Sequence, residues 1–418
     1  MILQFECENH RSIKNKILYS MLATKDTSYS DKLIPLDNNI NILRGCLLYG
    51  ANGSGKTSLL NALYTFTQLV IESNTYQNEE EIIRFPHKLA LTEPTTFNIF
   101  FTKNDIQYNY SISYDNNEII KEDLSYWPNG KKAKIFERDN TLIDNEPKYK
   151  FYGNFKQVWD NCKGRLKKYK LLLSVAYNES SNKYIQDVFN FFYNDLVFIF
   201  PNKNNNYFAD ACNELSKSPA FRKTFIDFLR SIGEVIIDIK LDIDVKSFIS
   251  DDLSFLSPEM QNKLKGKTYY SPKLKLLYPN GIVIDFEEES EGIRKLFSIM
   301  YPLIKVIQED KILICDEIEN SLHSNIVFEI IKRFFNNDCS KAQLLCTTHN
   351  TELLDLNLLR RDQIWFTEIE PQERQTALYS LSDIKNVRKD ENVQKGYIAG
   401  KFGAVPMINT RIQKICEE

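Results

Sequence analysis

Eight consecutive residues carry the clearest chemistry in the sequence: Gly50-Ala51-Asn52-Gly53-Ser54-Gly55-Lys56-Thr57. They fit G-x-x-x-x-G-K-[ST], the pattern of a loop that binds nucleotide phosphates. The glycines let backbone N–H groups surround a phosphate at a helix N-terminus, where the helix dipole favours an anion. Lys56 would reach the β- and γ-phosphates, and the Thr57 hydroxyl would hold Mg²⁺. The predicted nucleotide-binding residues of this segment are Gly50, Asn52, Gly53, Ser54, Gly55, Lys56, Thr57 and Ser58.

The residues around this loop have the arrangement that the motif requires. Before it, 41–43 and 46–49 are mostly apolar and typical of a short buried strand. After it, Leu59, Leu60, Leu63 and Phe66 fall on one face of a helix. A strand, a glycine-rich loop and a helix in succession favour a phosphate loop over a glycine-rich turn that contains a lysine by chance.

A second set of polar residues follows apolar strands near the end of the chain. Residues 311–315 predict a strand that delivers Asp316, a candidate Mg²⁺ ligand, and Glu317, a candidate general base for an attacking water. Taken alone, this pattern also fits an ordinary strand followed by an acidic turn. Residues 343–348 predict another strand, which delivers His349, and a lone histidine there is more often structural. Upstream, Ser290-Glu291-Gly292 opens an apolar helix.

The order of these motifs resembles that of the ABC-type ATPases, in their SMC-like branch. The resemblance covers about 1–100 and 270–418, and 5–13 is similar to that branch's first strand and its N-x-R-S-F turn. More narrowly, the chain resembles the stand-alone, RloA-like bacterial ATPases, which are similar in type to the ATPase of the PARIS defence system. The resemblance implies an α/β P-loop NTPase with a mixed sheet, an antiparallel β subdomain and a compact helical insertion. It also implies ATP and Mg²⁺ as cofactors.

The resemblance assigns roles to residues outside the phosphate loop. His349 would sense the γ-phosphate, and Ser290 and Gly292 would cap the γ-phosphate bound to the opposite subunit of a head-to-tail dimer. Glu291 departs from the glycine that is usual at its position, so this cap would be altered. Arg11 would touch the phosphates from the first turn, although a surface arginine is nearly as good an interpretation. RloA-like proteins are commonly encoded beside a nuclease-like or toxin-like partner, which implies a separate effector.

Composition sets the broad limits. The chain has 418 residues, 43% of them hydrophobic, and a net charge of -3, so it is not a basic nucleic-acid binder as a whole. Its eight cysteines lack paired spacing and are expected to be reduced and buried. Neither a secretion signal nor an apolar run of membrane-spanning length is expected, which predicts a cytoplasmic protein without a membrane partner. The predicted domains are 1–150 with the phosphate loop and a β meander, 151–268 as a helical insertion, and 269–418 as the second ATPase lobe.

Three functions are compatible with these patterns. The favoured one is an ATP-driven dimerisation switch in anti-phage or toxin–antitoxin-like defence, which controls a separate effector. The second is a RecF/SMC-like ATPase that acts directly on DNA, through the basic segments 163–170 and 263–270, in which aromatic residues are interleaved. Nearby acids favour a solvated helix face for these segments, but a nucleic-acid partner stays open. The third, a small-molecule kinase, is disfavoured by the S-x-G element and by His349.

Overall fold

A computed structural model describes residues 1–36, 40–141, 148–201, 207–247, 268–319, 322–388 and 391–406. Its strands are β1 Ile2–Glu8, β2 Ile17–Ser20, β3 Ile34–Pro35, β4 Asn41–Ile42, β5 Gly45–Tyr49, β6 Thr95–Lys103, β7 Ile106–Tyr114, β8 Ile119–Trp127, β9 Ala133–Asp139, β10 Lys148–Phe151, β11 Leu196–Ile199, β12 Asp238–Ser247, β13 Thr268–Leu277, β14 Val283–Asp285, β15 Ile312–Cys315, β16 Gln343–Thr347, β17 Ile364–Glu370 and β18 Gln375–Ser380. Its helices are α1 Lys56–Glu72, α2 Lys156–Cys162, α3 Leu172–Glu179, α4 Lys183–Asn190, α5 Tyr207–Lys217, α6 Pro219–Ser231, α7 Glu291–Gln308, α8 Ser324–Phe335 and α9 Val393–Ile398.

These described residues form two compact units, one of 1–202, 306–319 and 330–418 and the other of 203–305 and 320–329. The first unit contains a six-stranded sheet in the order β11-β15-β16-β5-β17-β18, parallel except for β18. Strands β5, β15 and β16 are buried along their whole length, as expected for parallel strands covered on both faces. The same unit contains an antiparallel sheet in the order β10-β9-β8-β7-β6-β1-β2, which confirms the predicted meander.

Helix α1 packs against the antiparallel sheet through its apolar face. The Phe66 ring lies 5.3 Å from Phe97 and 5.5 Å from Tyr110, measured between ring centroids. Because α1 begins at Lys56, this packing fixes the direction in which the N-terminus of the helix points. The phosphate loop is therefore held by a strand on one side and by a buried helix on the other.

The second unit has its own aromatic core. Phe297 of α7 packs against Phe225 of α6 at 4.8 Å and against Phe286 at 5.1 Å. Strands β12, β13 and β14 form an antiparallel sheet in this unit.

The segment predicted as a helical insertion contains strands as well as helices. Strand β11 pairs in parallel with β15, so it belongs to the central sheet. Strand β12 pairs with β13 over ten residues. Strand β11 is a four-residue apolar run after a helical segment, where a short strand and a helical turn look alike, whereas β12 alternates along its length. The division into three consecutive domains stays a prediction.

Among the helices that the structure describes, none combines the length and the apolar character needed to cross a lipid bilayer.

Candidate nucleotide-binding site

The strand order brings the predicted site residues to one edge of the central sheet. Strand β16 lies between β15 and β5, and all three run in the same direction. Their carboxyl ends deliver Asp316, Thr347 and Gly50 to neighbouring positions. This edge, outside the carboxyl ends of parallel strands, is where open α/β sheets place their ligands.

The phosphate loop adopts a conformation that only glycine tolerates at key positions. Gly55, which precedes α1, has φ +105°, and a Cβ atom there would lie 2.0 Å from Thr376 Oγ1. The side chain of Ser54 is buried, and its hydroxyl lies 2.6 Å from that of Thr367. Asn52 and Gly53 are exposed at the outer part of the loop. The predicted loop residues thus form one continuous turn into the first residues of α1.

Lys56 is buried under this loop and holds its shape. Its Nζ donates hydrogen bonds to the carbonyls of Gly50 at 2.7 Å and Ala51 at 3.2 Å. Burial lowers the pKa of Lys56, and the carboxylates of Asp316, Glu317 and Glu319 act in the opposite direction. A buried lysine cation close to acids, at a helix N-terminus, is suited to bind the β- and γ-phosphates.

The two predicted Mg²⁺ ligands lie in direct contact. Thr57 Oγ1 lies 3.0 and 3.2 Å from the carboxylate oxygens of Asp316. A hydroxyl and a carboxylate side by side are hard oxygen donors, which suit Mg²⁺. This ion commonly binds one or two protein groups together with phosphate oxygens and water. Thr57 and Asp316 therefore fit the ion that the sequence predicts.

Glu317 follows Asp316 in the left-handed region, at φ +51°. Its N–H donates to Thr347 Oγ1 at 2.7 Å, and its side chain is exposed. Because the backbone is pinned while the carboxylate faces solvent, Glu317 can accept a proton from a water molecule at this edge. His349 lies two residues beyond Thr347 and is also exposed.

Arg11 follows β1, and its side chain packs on an aromatic ring. Its guanidinium carbon is 4.8 Å from the centroid of the Phe85 ring, and both residues line a cavity of about 630 Å³. The next residue, Ser12, donates a hydrogen bond to Ser58 Oγ at 2.8 Å. This cavity therefore adjoins the first turn of α1.

Ser290 and Gly292 lie at the start of α7, in the second unit. Ser290 is exposed, and its Oγ accepts a hydrogen bond from the N–H of Ile293 at 3.3 Å. Gly292 is the second residue of the helix. The predicted helix start is confirmed, and the role of these residues toward a second subunit stays a prediction.

Thr347 was given no role by the sequence, yet it connects the two acidic residues. Its Oγ1 donates to Asp316 Oδ1 at 2.7 Å and accepts the N–H of Glu317. Its side chain is fully buried. In the sequence, Thr347 is only a hydroxyl residue at the end of a predicted strand. Its role follows once it is known that this strand lies next to the one that delivers Asp316 and Glu317.

A family model described as "AAA domain, putative AbiEii toxin, Type IV TA system" matches residues 47–355. The chain belongs to this family. The match begins within β5 and extends past His349, so it spans the phosphate loop, Ser290, Asp316 and Glu317. Together with the observed sheets, it makes the chain an α/β P-loop NTPase, as predicted.

Among solved structures, the chain is similar to the SMC head domain from Thermotoga maritima, at 12% identity and a TM-score of 0.40, over 91% of this chain and 98% of that one. It is also similar to an Smc head bound to the C-terminal winged-helix domain of ScpA, at 14% identity and a TM-score of 0.38, over 92% and 99%. A third is an Smc head with an extended coiled coil, bound to the C-terminal domain of ScpA derived from Pyrococcus furiosus, at 12% identity and a TM-score of 0.38, over 91% and 97%. At these TM-scores the likeness carries no argument about function. No curated protein matches the chain.

Replacing Thr347 by valine tests whether its hydroxyl organises the acidic pair. Valine has nearly the same shape, but it removes the Thr347 donor to Asp316 Oδ1 and the acceptor of the Glu317 N–H. We expect a loss of about 1–3 kcal/mol in the free energy of unfolding, measured by urea denaturation. Thr351→Val, at a hydroxyl in the turn after His349, is the matched control. Equal stability of Thr347→Val and the wild type would show that the bridge contributes nothing.

Proposed function

We propose that the chain hydrolyses ATP to ADP and phosphate in the presence of Mg²⁺. The observation that carries this proposal is the meeting of Lys56, the Thr57–Asp316 pair and exposed Glu317 at one edge of the central sheet. These groups supply a phosphate cation, a Mg²⁺ site and a carboxylate base, which are the parts that phosphoryl transfer to water needs.

Each side chain has a separable task in this reaction. The N–H groups of the loop and the Lys56 ammonium bind the phosphates and stabilise charge that develops on them. Thr57 and Asp316 would hold Mg²⁺, which neutralises charge between the β- and γ-phosphates. Glu317 orients the attacking water and accepts its proton. His349 would contact the γ-phosphate from the end of β16.

The cavity beside Arg11 supports a place for the nucleoside. Its wall contains the Phe85 ring and the exposed Leu89 side chain, which offer apolar surface for a base. The loop that carries them is tied to Asn9, whose Nδ2 donates to Ala90 O at 2.8 Å and whose Oδ1 accepts the N–H of His87 at 2.8 Å. A fixed loop presents these surfaces without an ordering cost on binding. We propose that the base and ribose occupy this cavity while the phosphates reach the loop.

Lys56→Ala tests the catalytic assignment. Removing the cation that contacts the β- and γ-phosphates should lower ATP turnover by about 10²–10³-fold, the usual effect of losing one preorganised electrostatic contact. Phosphate release by the purified chain measures this effect. Lys25→Ala, at an exposed lysine away from the loop, is the control. Unchanged turnover in Lys56→Ala would contradict the assignment of this loop.

We further propose that ATP drives head-to-tail dimerisation. The support comes from the resemblance, together with the exposed Ser290 hydroxyl at the N-terminus of α7. A helix N-terminus with an exposed hydroxyl and N–H donors favours an anion, here the γ-phosphate bound to a second subunit. Hydrolysis would remove this contact and loosen the dimer, giving a two-state switch.

Glu317→Gln is expected to bind ATP, hydrolyse it slowly and remain assembled. Light scattering with and without Mg-ATP should show a shift from monomer to dimer. Adding Ser290→Arg should abolish the shift, because a long cation would fill the space that the γ-phosphate needs. Adding Asn213→Arg, at an exposed position of α5 in the same unit, should leave the shift intact. A mass that does not respond to ATP in Glu317→Gln would overturn the dimer proposal.

The biological role that we propose is an ATP-driven switch in anti-phage or toxin–antitoxin-like defence, acting on a separate nuclease-like or toxin-like effector. The family description supports this setting, and the narrower RloA-like assignment stays a prediction.

The alternative is direct action on DNA. Segment 163–170 forms turns between α2 and α3 instead of the predicted helix face, and Lys163, Arg165 and Lys168 each form an ion pair with an acid. These pairs reduce the charge available to DNA. Residues 263–267 lie outside the described residues.

Two measurements separate these roles. If the chain controls an effector, pull-down of Glu317→Gln from the native host with Mg-ATP should recover a nuclease-like or toxin-like protein, and pull-down of Lys56→Ala should not. If it acts on DNA, anisotropy of a labelled duplex should show ATP-dependent binding. That binding would weaken by about 10³–10⁵ between 50 and 200 mM salt for 6–10 phosphate contacts. We expect the first result.

A further inference from the structure

Glu319 contacts the segment that carries His349. Its Oε1 accepts a hydrogen bond from the backbone N–H of His349. Nothing in the sequence patterns assigns Glu319 a role. The contact joins the loop that follows β15 to the residues that follow β16, so it connects the segment of the candidate base to the segment of the candidate γ-phosphate sensor.

This contact is the last in a series of hydrogen bonds between the residues that follow β15 and those at the end of β16. The N–H of Glu317 donates to Thr347 Oγ1 at 2.7 Å, and the N–H of Ile318 donates to Thr347 O at 3.2 Å. Those two bonds end at Thr347, which is buried in the strand. Only the Glu319 bond in this series reaches past the strand to His349. Glu319 therefore helps to fix the backbone of His349, from which the imidazole extends.

Two further observations distinguish Glu319 from a residue that only stabilises the loop. Its second carboxylate oxygen is buried and has no hydrogen-bond partner among the described residues. Leaving such an oxygen unpaired costs free energy, so stability alone does not account for a carboxylate here. Burial lowers the pKa of Lys56, and the charge of Glu319 opposes this lowering together with those of Asp316 and Glu317. Glu319 is thus within electrostatic reach of the phosphate site.

We propose that Glu319 is a positioning residue, which holds the backbone of His349 so that the imidazole meets the γ-phosphate while Glu317 activates water. This role rests on the proposed ATP hydrolysis. The carboxylate reaches neither the nucleotide nor the water in this role. It acts through His349, because a shift of about 1 Å in a group that contacts the reacting phosphate is enough to lower turnover about 10²-fold.

Two conservative variants separate the hydrogen bond from the charge. Glu319→Gln keeps an oxygen at the same reach and loses the charge, and Glu319→Asp keeps the charge and shortens the side chain by one methylene. We expect Glu319→Gln to keep kcat within about threefold of the wild type, and Glu319→Asp to lose about 10²-fold with KM changed by less than about threefold. The reverse order would show that the charge near Lys56 matters and would overturn the positioning role.

A double-mutant cycle with His349→Ala tests the route of the effect. If Glu319 acts through His349, Glu319→Asp should reduce kcat by less than about twofold further in the His349→Ala background. Glu352→Asp, at an exposed glutamate in the next turn, should leave turnover unchanged in either background. Additive losses from Glu319 and His349 would mean that they act independently.

The same assays keep this inference apart from the proposed function. ATP turnover by the wild type that is lost in Lys56→Ala supports the proposed function, whatever Glu319 does. Equal kcat values for Glu319→Asp, Glu319→Gln and the wild type would then overturn only the role of Glu319. Absence of turnover in the wild type would overturn both.

Discussion

The Asp316 carboxylate is the group on which the site depends. It accepts hydrogen bonds from Thr57 and Thr347, which come from different elements of the chain. A buried carboxylate needs such donors, because desolvation of an ionised group without partners is costly. The donors arrive only because β16 lies between β15 and β5 in the sheet. The strand order is therefore the condition for the contact between the predicted Mg²⁺ ligands, Thr57 and Asp316, and for the position of Glu317.

A second set of hydroxyl groups supports the phosphate loop from its other side. Thr376 Oγ1 donates to Ser12 Oγ at 2.7 Å, and Ser12 in turn donates to Ser58. The same Thr376 hydroxyl lies where a side chain at Gly55 would be. These small groups let the backbone come close to the loop while they satisfy one another. These contacts hold the turn after β1, the phosphate loop and β18 together. A bulkier side chain at any of these positions would push the three segments apart.

The sequence identified the parts of the site that depend on local pattern. The phosphate loop, the strand before Asp316 and the antiparallel meander all follow from motif or from alternation, and each is observed. Strand β12 also alternates strictly, with Ile239, Leu241 and Ile243 at every second position, and that signal was available. Strand β11 was not predictable in the same way, because four apolar residues after an aromatic helical segment fit a helix equally well. The roles of Thr347 and Ser12 depend on strand order, which local pattern does not contain.

The ATPase core extends beyond the residues that define the family. The family match ends at residue 355, yet β17 pairs with β5 and so borders the strand that carries the phosphate loop. Thr367 of β17 contacts Ser54. Further on, Tyr397 of α9 packs at 5.9 Å from Tyr49, the residue before Gly50, and the Tyr49 hydroxyl donates to Asn350 O, next to His349. Tyr49 thus connects β5 to the segment that carries His349, and Tyr397 packs on its ring. The C-terminal residues therefore help to hold the phosphate loop and the histidine segment in their relative positions.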